Sequence, residues 1–203
     1  MGISFGNGIT IGTGISAIPE RPTTIGQAFD GGYYAGQISS GANGVATHYL
    51  IVADKTLGEY VGKQLGQPGG KNWSQCDTFC TDLRLGDYAD WRMPTQNELE
   101  VMYYFLKPGT TPNQTTYPAG SNPQAVPPEP ISTLYTAGSP VQTTATSFIT
   151  GAPQAFAETD YWSSTDSYGS RIAQDFIGGY AGSIMTYFTF IYCRAVRLEP
   201  ITL

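Results

Sequence analysis

The chain has 203 residues, of which 13% are charged, with 25 glycines, 14 prolines and 14 tyrosines. That length carries one full hydrophobic core and is short for two, and the composition suits a loop-rich protein built on strands rather than a helical bundle. A formal net charge of −6 with Lys and Arg scattered disfavours nucleic-acid or anionic-membrane binding, and no apolar stretch approaches a bilayer span.

The first element is an alternating one. Ile3, Phe5, Asn7, Ile9, Ile11, Thr13, Ile15 and Ala17 occupy the odd positions, and Ser, Thr or Gly fill the even ones. This is a strand pattern with one apolar and one nearly bare face. Gly-rich strands are weak alone, so residues 1–20 are expected to form an arm that pairs with another chain or another sheet edge. The alternatives are an ordinary first strand or a frayed terminus. No basic residue precedes Arg21 and no continuous apolar block occurs, so a secretion signal is not expected. Pro19 and Pro22 make a stiff break before the main domain, residues 21–203.

Ile25 to Ile38 and His48 to Ala53 read as two strands joined by a Gly/Ser/Asn turn at Ser39–Gly44. A helix is predicted over Asn72 to Leu83, where Trp73, Cys76, Phe79, Cys80 and Leu83 share one face, with Gly86 as its stop. A second helix starts at Pro94-Thr95. Thr95 is its N-cap, Glu98 completes a capping box, Leu99, Met102, Tyr103 and Leu106 form the buried stripe, and Pro108 ends it. Trp91 and Arg92, just before the cap, are expected to be a core plug and a structural ion pair.

Between Pro108 and Ala157 the composition changes. Nine of the 14 prolines fall here and Glu129 is the only charge. Such a segment suggests a linker, but aromatics continue at Tyr117, Tyr135, Phe148 and Phe156. The reading is an ordered excursion wrapped over the domain, with one short helix near Thr144–Ile149; disorder is the alternative. Strands follow at Arg171–Phe176, Ser183–Phe190 and Cys193–Leu198, with turns at Gly178-Gly179 and Gly182. Alternation places Ile172, Gln174 and Phe176 on the inner face, and Arg171, Ala173 and Asp175 outside. The bookkeeping is that of an α+β domain.

Several chemistries have little to work with. His48 is the only histidine and lies in a predicted strand. Cys76 and Cys80 sit one helical turn apart on an apolar face, which reads as a buried thiol pair, with Cys193 alone. A zinc site from Cys76, Cys80, Cys193 and His48 is disfavoured. Asp87 with Asp90, or Glu158 with Asp160, lie in loops beside structural aromatics and are not read as glycosidase carboxylates. The chain is therefore read as non-enzymatic, with no cofactor and no catalytic or metal-binding residues.

Three peptides carry a resemblance: Asp90-Trp91-Arg92-Met93-Pro94-Thr95 running into Glu98-Leu99, then Tyr161-Trp162-Ser163-Ser164-Thr165, then Arg194-Ala195-Val196-Arg197. In this order they resemble the C-type-lectin-like domain of phage tail proteins and bacterial surface proteins, a family distantly related to the formylglycine-generating fold and including targets of diversity-generating retroelements. The similarity runs from about Ile25 to Arg197. The opening Gly31-Gly32-Tyr33-Tyr34-Ala35-Gly36, and the Val126-Pro127-Pro128 and Tyr135-Thr136-Ala137-Gly138 passages, are similar to phage members. The chain departs from the sugar-binding and enzymatic branches. Glu129-Pro130-Ile131 lacks the Asn of calcium-dependent lectins, no Trp-Asn-Asp occurs, and the C-terminal half holds only Cys193 where formylglycine-generating enzymes need a cysteine pair.

The resemblance implies a C-type-lectin-like fold, two helices on small antiparallel sheets, in a phage virion protein assembled in the host cytoplasm and exposed on the particle. Its implied role is a tail fibre or tail-tip component binding a host-surface glycan or protein, as a homo-oligomer, with the arm docking to other virion proteins and no membrane insertion. The alternative is a structural capsid or tail decoration protein whose lectin-like knob has no receptor role. In diversified relatives the variable residues lie in the C-terminal region, which here is dense in amphipathic groups. Tyr168, Arg171, Asp175, Tyr180 and Tyr187 are the expected ligand-binding residues, since Tyr and Arg combine apolar area with a polar handle. Arg194 and Arg197 match the family terminus and are expected to pair with carboxylates or carbonyls near the helices.

Overall fold

The computed structural model describes residues 21–61, 72–184 and 191–202; the expected arm at residues 1–20 lies outside them. The predicted strand over Ile25 to Ile38 is two strands, β1 (Ala28–Phe29) and β2 (Gly32–Ile38). They fold back on each other at Asp30-Gly31, whose φ values of 46° and 80° are the two positive angles that a tight two-residue hairpin requires. An Asp-Gly pair adopts such angles readily, a local signal that the single-strand reading of Ile25 to Ile38 passed over. β2 pairs antiparallel with β3 (His48–Val52), and β3 with β9 (Val196–Pro200), giving the order β1-β2-β3-β9.

A short helix, α1 (Lys55–Gly58), leads into β4 (Glu59–Tyr60), and α2 (Trp73–Asp82) follows. α2 opens on a reciprocal Asn72–Gln75 capping box and ends before Gly86, at Leu83, whose backbone is extended. Gly86 serves a different purpose. A Cβ there would lie 2.2 Å from the Gly31 Cα, so its turn can pack against the Asp30-Gly31 turn only without a side chain.

α3 (Gln96–Leu106) has the predicted cap. Thr95 Oγ1 accepts from the Glu98 amide at 3.3 Å, and Glu98 Oε2 accepts from the Thr95 amide at 2.7 Å. Arg92 donates to both Glu98 carboxylate oxygens at 2.8 and 2.6 Å, so the ion pair that precedes the helix also fixes its start. The predicted stripe Leu99, Met102, Tyr103 and Leu106 is buried, but so are Glu100 and Val101. One face of α3 lies on β2, where the absence of a side chain at Gly36 leaves room for Val101 and Phe105. The 108–157 excursion covers the other.

That excursion contributes Ala119, Ala125, Tyr135, Phe148, Ala155 and Phe156 to the interior, and its one 3-10 turn is Thr146–Phe148. With Glu129 as its one charged residue, it attaches mainly through buried amides. Asn113 accepts from Lys107 at 2.6 Å and Tyr103 at 2.7 Å, and donates to the Thr136 and Pro140 carbonyls. Asn122 donates to the Asn97 carbonyl at 2.9 Å. These contacts satisfy polar groups that burial would otherwise make costly.

A second sheet runs β5 (Asp160–Ser167), β6 (Ser170–Asp175), β7 (Ala181–Ile184), all antiparallel. The predicted strand Ser183–Phe190 begins earlier, at Ala181, and residues 185–190 lie outside the described set. The predicted strand Cys193–Leu198 is split. β8 (Cys193–Arg194) pairs with β4 and β9 with β3, and Ala195 between them bonds Ala53 and Gly58 as the chain changes sheets.

Two apolar clusters result. One joins α3, the first sheet and the excursion; the other gathers Trp91, Trp162, Tyr49, Met93, Ala173 and the cysteines. Because β6 lies between them, its alternation does not separate inside from outside. Gln174 and Phe176 are buried as expected, but Ala173 is buried as well and Ile172 is only half-buried. Cys193 is not alone either: it packs against Cys76 and Cys80, its Sγ 3.8 Å from the Cys76 carbonyl. All three cysteines are buried and none forms a disulfide among the described residues; at Cys193 the Cys76 contact lowers the thiol, but Cys80 and burial outweigh it and leave it well raised.

Trp91 and Trp162 are almost completely buried. Trp91 donates its indole N–H to the Leu85 carbonyl at 3.0 Å, whereas Trp162 is held by packing. Replacing either with Ala is expected to cost about 3–5 kcal/mol, measured by urea unfolding; a loss under about 1 kcal/mol would place these side chains outside the core.

Candidate functional site

The β5–β6 hairpin builds the most distinctive surface among the described residues. β5 and β6 pair at Trp162↔Ala173 and again at Asp166↔Arg171, so a bulge separates the two pairs and bends β5 ahead of the hairpin tip. At the tip Tyr168 is fully exposed with φ 52°, a left-handed conformation uncommon for tyrosine. Asp166 steadies the turn by accepting from the Gly169 amide at 3.3 Å.

Arg171 is fixed from two sides. Its guanidinium lies 3.8 Å from the centre of the Trp73 ring, and an ion pair links it to Asp166 at 3.3 Å. Trp73 is itself anchored, donating its indole N–H to the Ser163 carbonyl at 2.7 Å. α2 therefore supplies an aromatic platform beneath a cation carried by β6. Stacking of this kind contributes about 0.5–1 kcal/mol at exposed sites, and it also restricts the rotamers of a long side chain. Sequence periodicity placed Trp73 on the inner face of α2. It sits at the helix start, half-buried, where that face runs out under the hairpin. Its pairing with Arg171 spans about a hundred residues, so no local pattern signals it.

The other expected residues are elsewhere. Asp175 lies at the far end of β6, roughly 13 Å along the strand from Arg171 at ~3.3 Å per residue. Its Oδ1 accepts from the Ile177 amide and its Oδ2 from the Gly178 amide, both at 2.8 Å. It holds the β6–β7 turn, and each carboxylate oxygen already has a donor. Tyr180 is exposed on that turn beside Ile177. Tyr187 is outside the described residues. Tyr168 and Arg171 thus share one end of the sheet, and Asp175 and Tyr180 the other.

The remaining candidates are engaged structurally. Arg197 stacks 3.6 Å from the Tyr88 ring centre and donates to Asp90 and Glu199. Glu158 accepts from Thr150 at 2.9 Å. Asp160 is raised by burial and by Asp175 opposite it. His48 Nδ1 is 2.9 Å from Thr47 Oγ1 on β3. Among the described residues no group of three His, Cys, Asp or Glu side chains could hold a metal ion, and no helix is long and apolar enough to cross a membrane. An open groove of about 470 Å³ runs along α2, lined by Gln75, Thr78, Phe79, Asp82, Leu83 and Arg84.

No protein-family model matches the chain, and no curated protein matches it in sequence.

The two ends of the sheet should respond differently to truncation. Asp175→Ala frees two turn amides and is expected to destabilise by about 1–3 kcal/mol. Tyr168→Ala removes a side chain that touches solvent and should stay within about 0.5 kcal/mol of the parent. Thermal unfolding of the two variants measures both, and equal losses would contradict these placements.

Proposed function

We propose that the protein is a non-enzymatic phage virion component with a C-type-lectin-like domain, exposed on a tail fibre or tail tip, where it binds a host-surface glycan or protein. The supporting observation is the hairpin surface: a fully exposed tyrosine beside an arginine held by an aromatic ring and a carboxylate. Side chains ordered before contact lose little entropy on binding, and Tyr, Trp and Arg are the types that anchor interfaces. The mixed architecture with antiparallel sheets is compatible with the expected α+β class, and the lectin-like reading itself rests on the Trp91, Trp162 and Arg194 motifs. On this reading Tyr168, Arg171 and Trp73 form the contact centre, with Tyr180 as a separate contact at the other end of the sheet. Asp175 contributes by shaping the turn that presents Tyr180.

The test is adsorption of particles carrying Tyr168→Ala, Arg171→Ala or both to host cells. Adsorption should fall at least tenfold in the double variant, with particle assembly and melting temperature unchanged, and EDTA should have no effect. Normal adsorption of the double variant would remove the receptor-binding reading and leave the rival one, a rigid decoration knob.

A further inference from the structure

The seam between α3 and the 108–157 excursion carries two carboxyl groups with no cation in contact among the described residues. Glu100 projects from α3 and Glu129 from the excursion; both are buried. Glu100 Oε2 accepts from the Tyr135 hydroxyl at 2.6 Å, and Glu129 Oε1 accepts from Asn122 Nδ2 at 2.8 Å. The second oxygen of each, Glu100 Oε1 and Glu129 Oε2, has no hydrogen-bond partner, and neither does Gln174 Oε1 of β6. The seam therefore holds more acceptors than donors.

The charged and titratable groups around the seam are committed elsewhere. On α3 and its flanks, Arg92 is forked onto Glu98, and Lys107 is bonded to Asn113 and the Thr111 carbonyl. Tyr103 donates to Asn113, and Tyr104 to the Pro128 carbonyl. On β6, Asp175 is bonded to two turn amides. From the excursion the neutral Tyr135, Asn122 and Gly120 backbone reach the carboxyls, and from β6 the neutral Gln174 lies against Glu100. Two ionised carboxylates without a cation are strongly disfavoured in such a place, whereas a proton on each relieves the repulsion and supplies a donor.

We propose that Glu100 and Glu129 form a proton-operated latch: with both carboxyls protonated the excursion stays seated on α3, and their ionisation unseats it. Burial is the main cause that raises Glu100 to about 7 and Glu129 to about 8, each raised from 4.5. Tyr135 and the neighbouring Gln174 and Gly120 groups offset this only in part for Glu100; Asn122 does so for Glu129, while Glu100 adds to the rise. The sign follows. A folded-state value above the open-state value means that the seated form binds more protons. The latch is then at full strength below pH 4.5 and is lost as the pH rises through about 7 and about 8.

Amide hydrogen exchange, corrected for intrinsic rates and read at the Ala119–Tyr135 pairing where the Tyr135 amide donates to the Ala119 carbonyl, tests this. Between pH 6 and pH 9 the opening constant should rise on the order of a thousandfold, while protection of β3 stays level. Glu129→Gln should cut the rise to roughly tenfold and Glu100→Gln to roughly a hundredfold. Carbon-13 carboxyl titration of the unmodified protein, which needs no folded variant, should give both midpoints above 6. A level opening constant, an unchanged rise in both variants, or midpoints between 4 and 5 would overturn the latch. So would restoration of protection at pH 9 by millimolar calcium, because the surplus oxygens would then hold a cation rather than protons.

Discussion

A guanidinium with no access to solvent joins most parts of this protein. Arg194 donates from Nε to the Ala53 carbonyl at 2.9 Å, and from its two terminal nitrogens to the Gln154 carbonyl and side chain at 2.7 Å each. Glu59 lies 3.9 Å away, bonded at 2.8 Å by the Tyr161 hydroxyl, which in turn accepts from the Ala157 amide. Gln154 donates to Asp54, the N-cap of α1, and Lys55 donates to the Ala155 carbonyl. β3, α1, β4, β5, β8 and the end of the excursion thus meet at one polar centre. Burial works against charge on both Arg194 and Glu59, lowering the first and raising the second. Such a centre gains geometric specificity more than raw stability, provided every donor finds its acceptor.

The excursion depends on this anchor at one end and on α3 along its length. It has one charged residue and nine prolines, so neither surface ion pairs nor regular hydrogen-bond ladders can hold it. Aromatic contact does instead: Phe156 stacks on Phe176 at 4.2 Å between centroids, and Tyr135 lies against Tyr103 at 5.7 Å. The buried amides and acids then set its register. Covering α3 on its second side is what brings Glu100 into the interior.

Local signals were well preserved in the sequence. The Thr95–Glu98 capping box, the Trp91 plug and the Arg92 ion pair were legible because cap, plug and partner lie within seven residues. The Asp30-Gly31 hairpin had a local signal too, which the reading of Ile25 to Ile38 as one strand passed over. What could not be read depends on distant chain segments meeting. Ala173 is buried because β6 lies between two clusters. Cys193 joins Cys76 and Cys80 only once β8 pairs with β4. Arg171 finds Trp73, and Asp175 is absorbed by its own turn. The candidate surface was therefore half legible: Tyr168 and Arg171 belong to one place, Asp175 and Tyr180 to another, and the residue that organises the first pair was assigned to the core.

A rigid scaffold with a projecting, ordered hairpin suits presentation of a binding surface, and that rigidity rests on the buried arginine. Urea unfolding of Arg194→Met measures its contribution directly. Loss of the guanidinium leaves Glu59 and Gln154 buried without their partner, so the expected cost is about 3–5 kcal/mol, in a transition that involves both apolar clusters together. A variant within about 1 kcal/mol of the parent would show that apolar packing alone holds these elements in place and would contradict the central role assigned to Arg194.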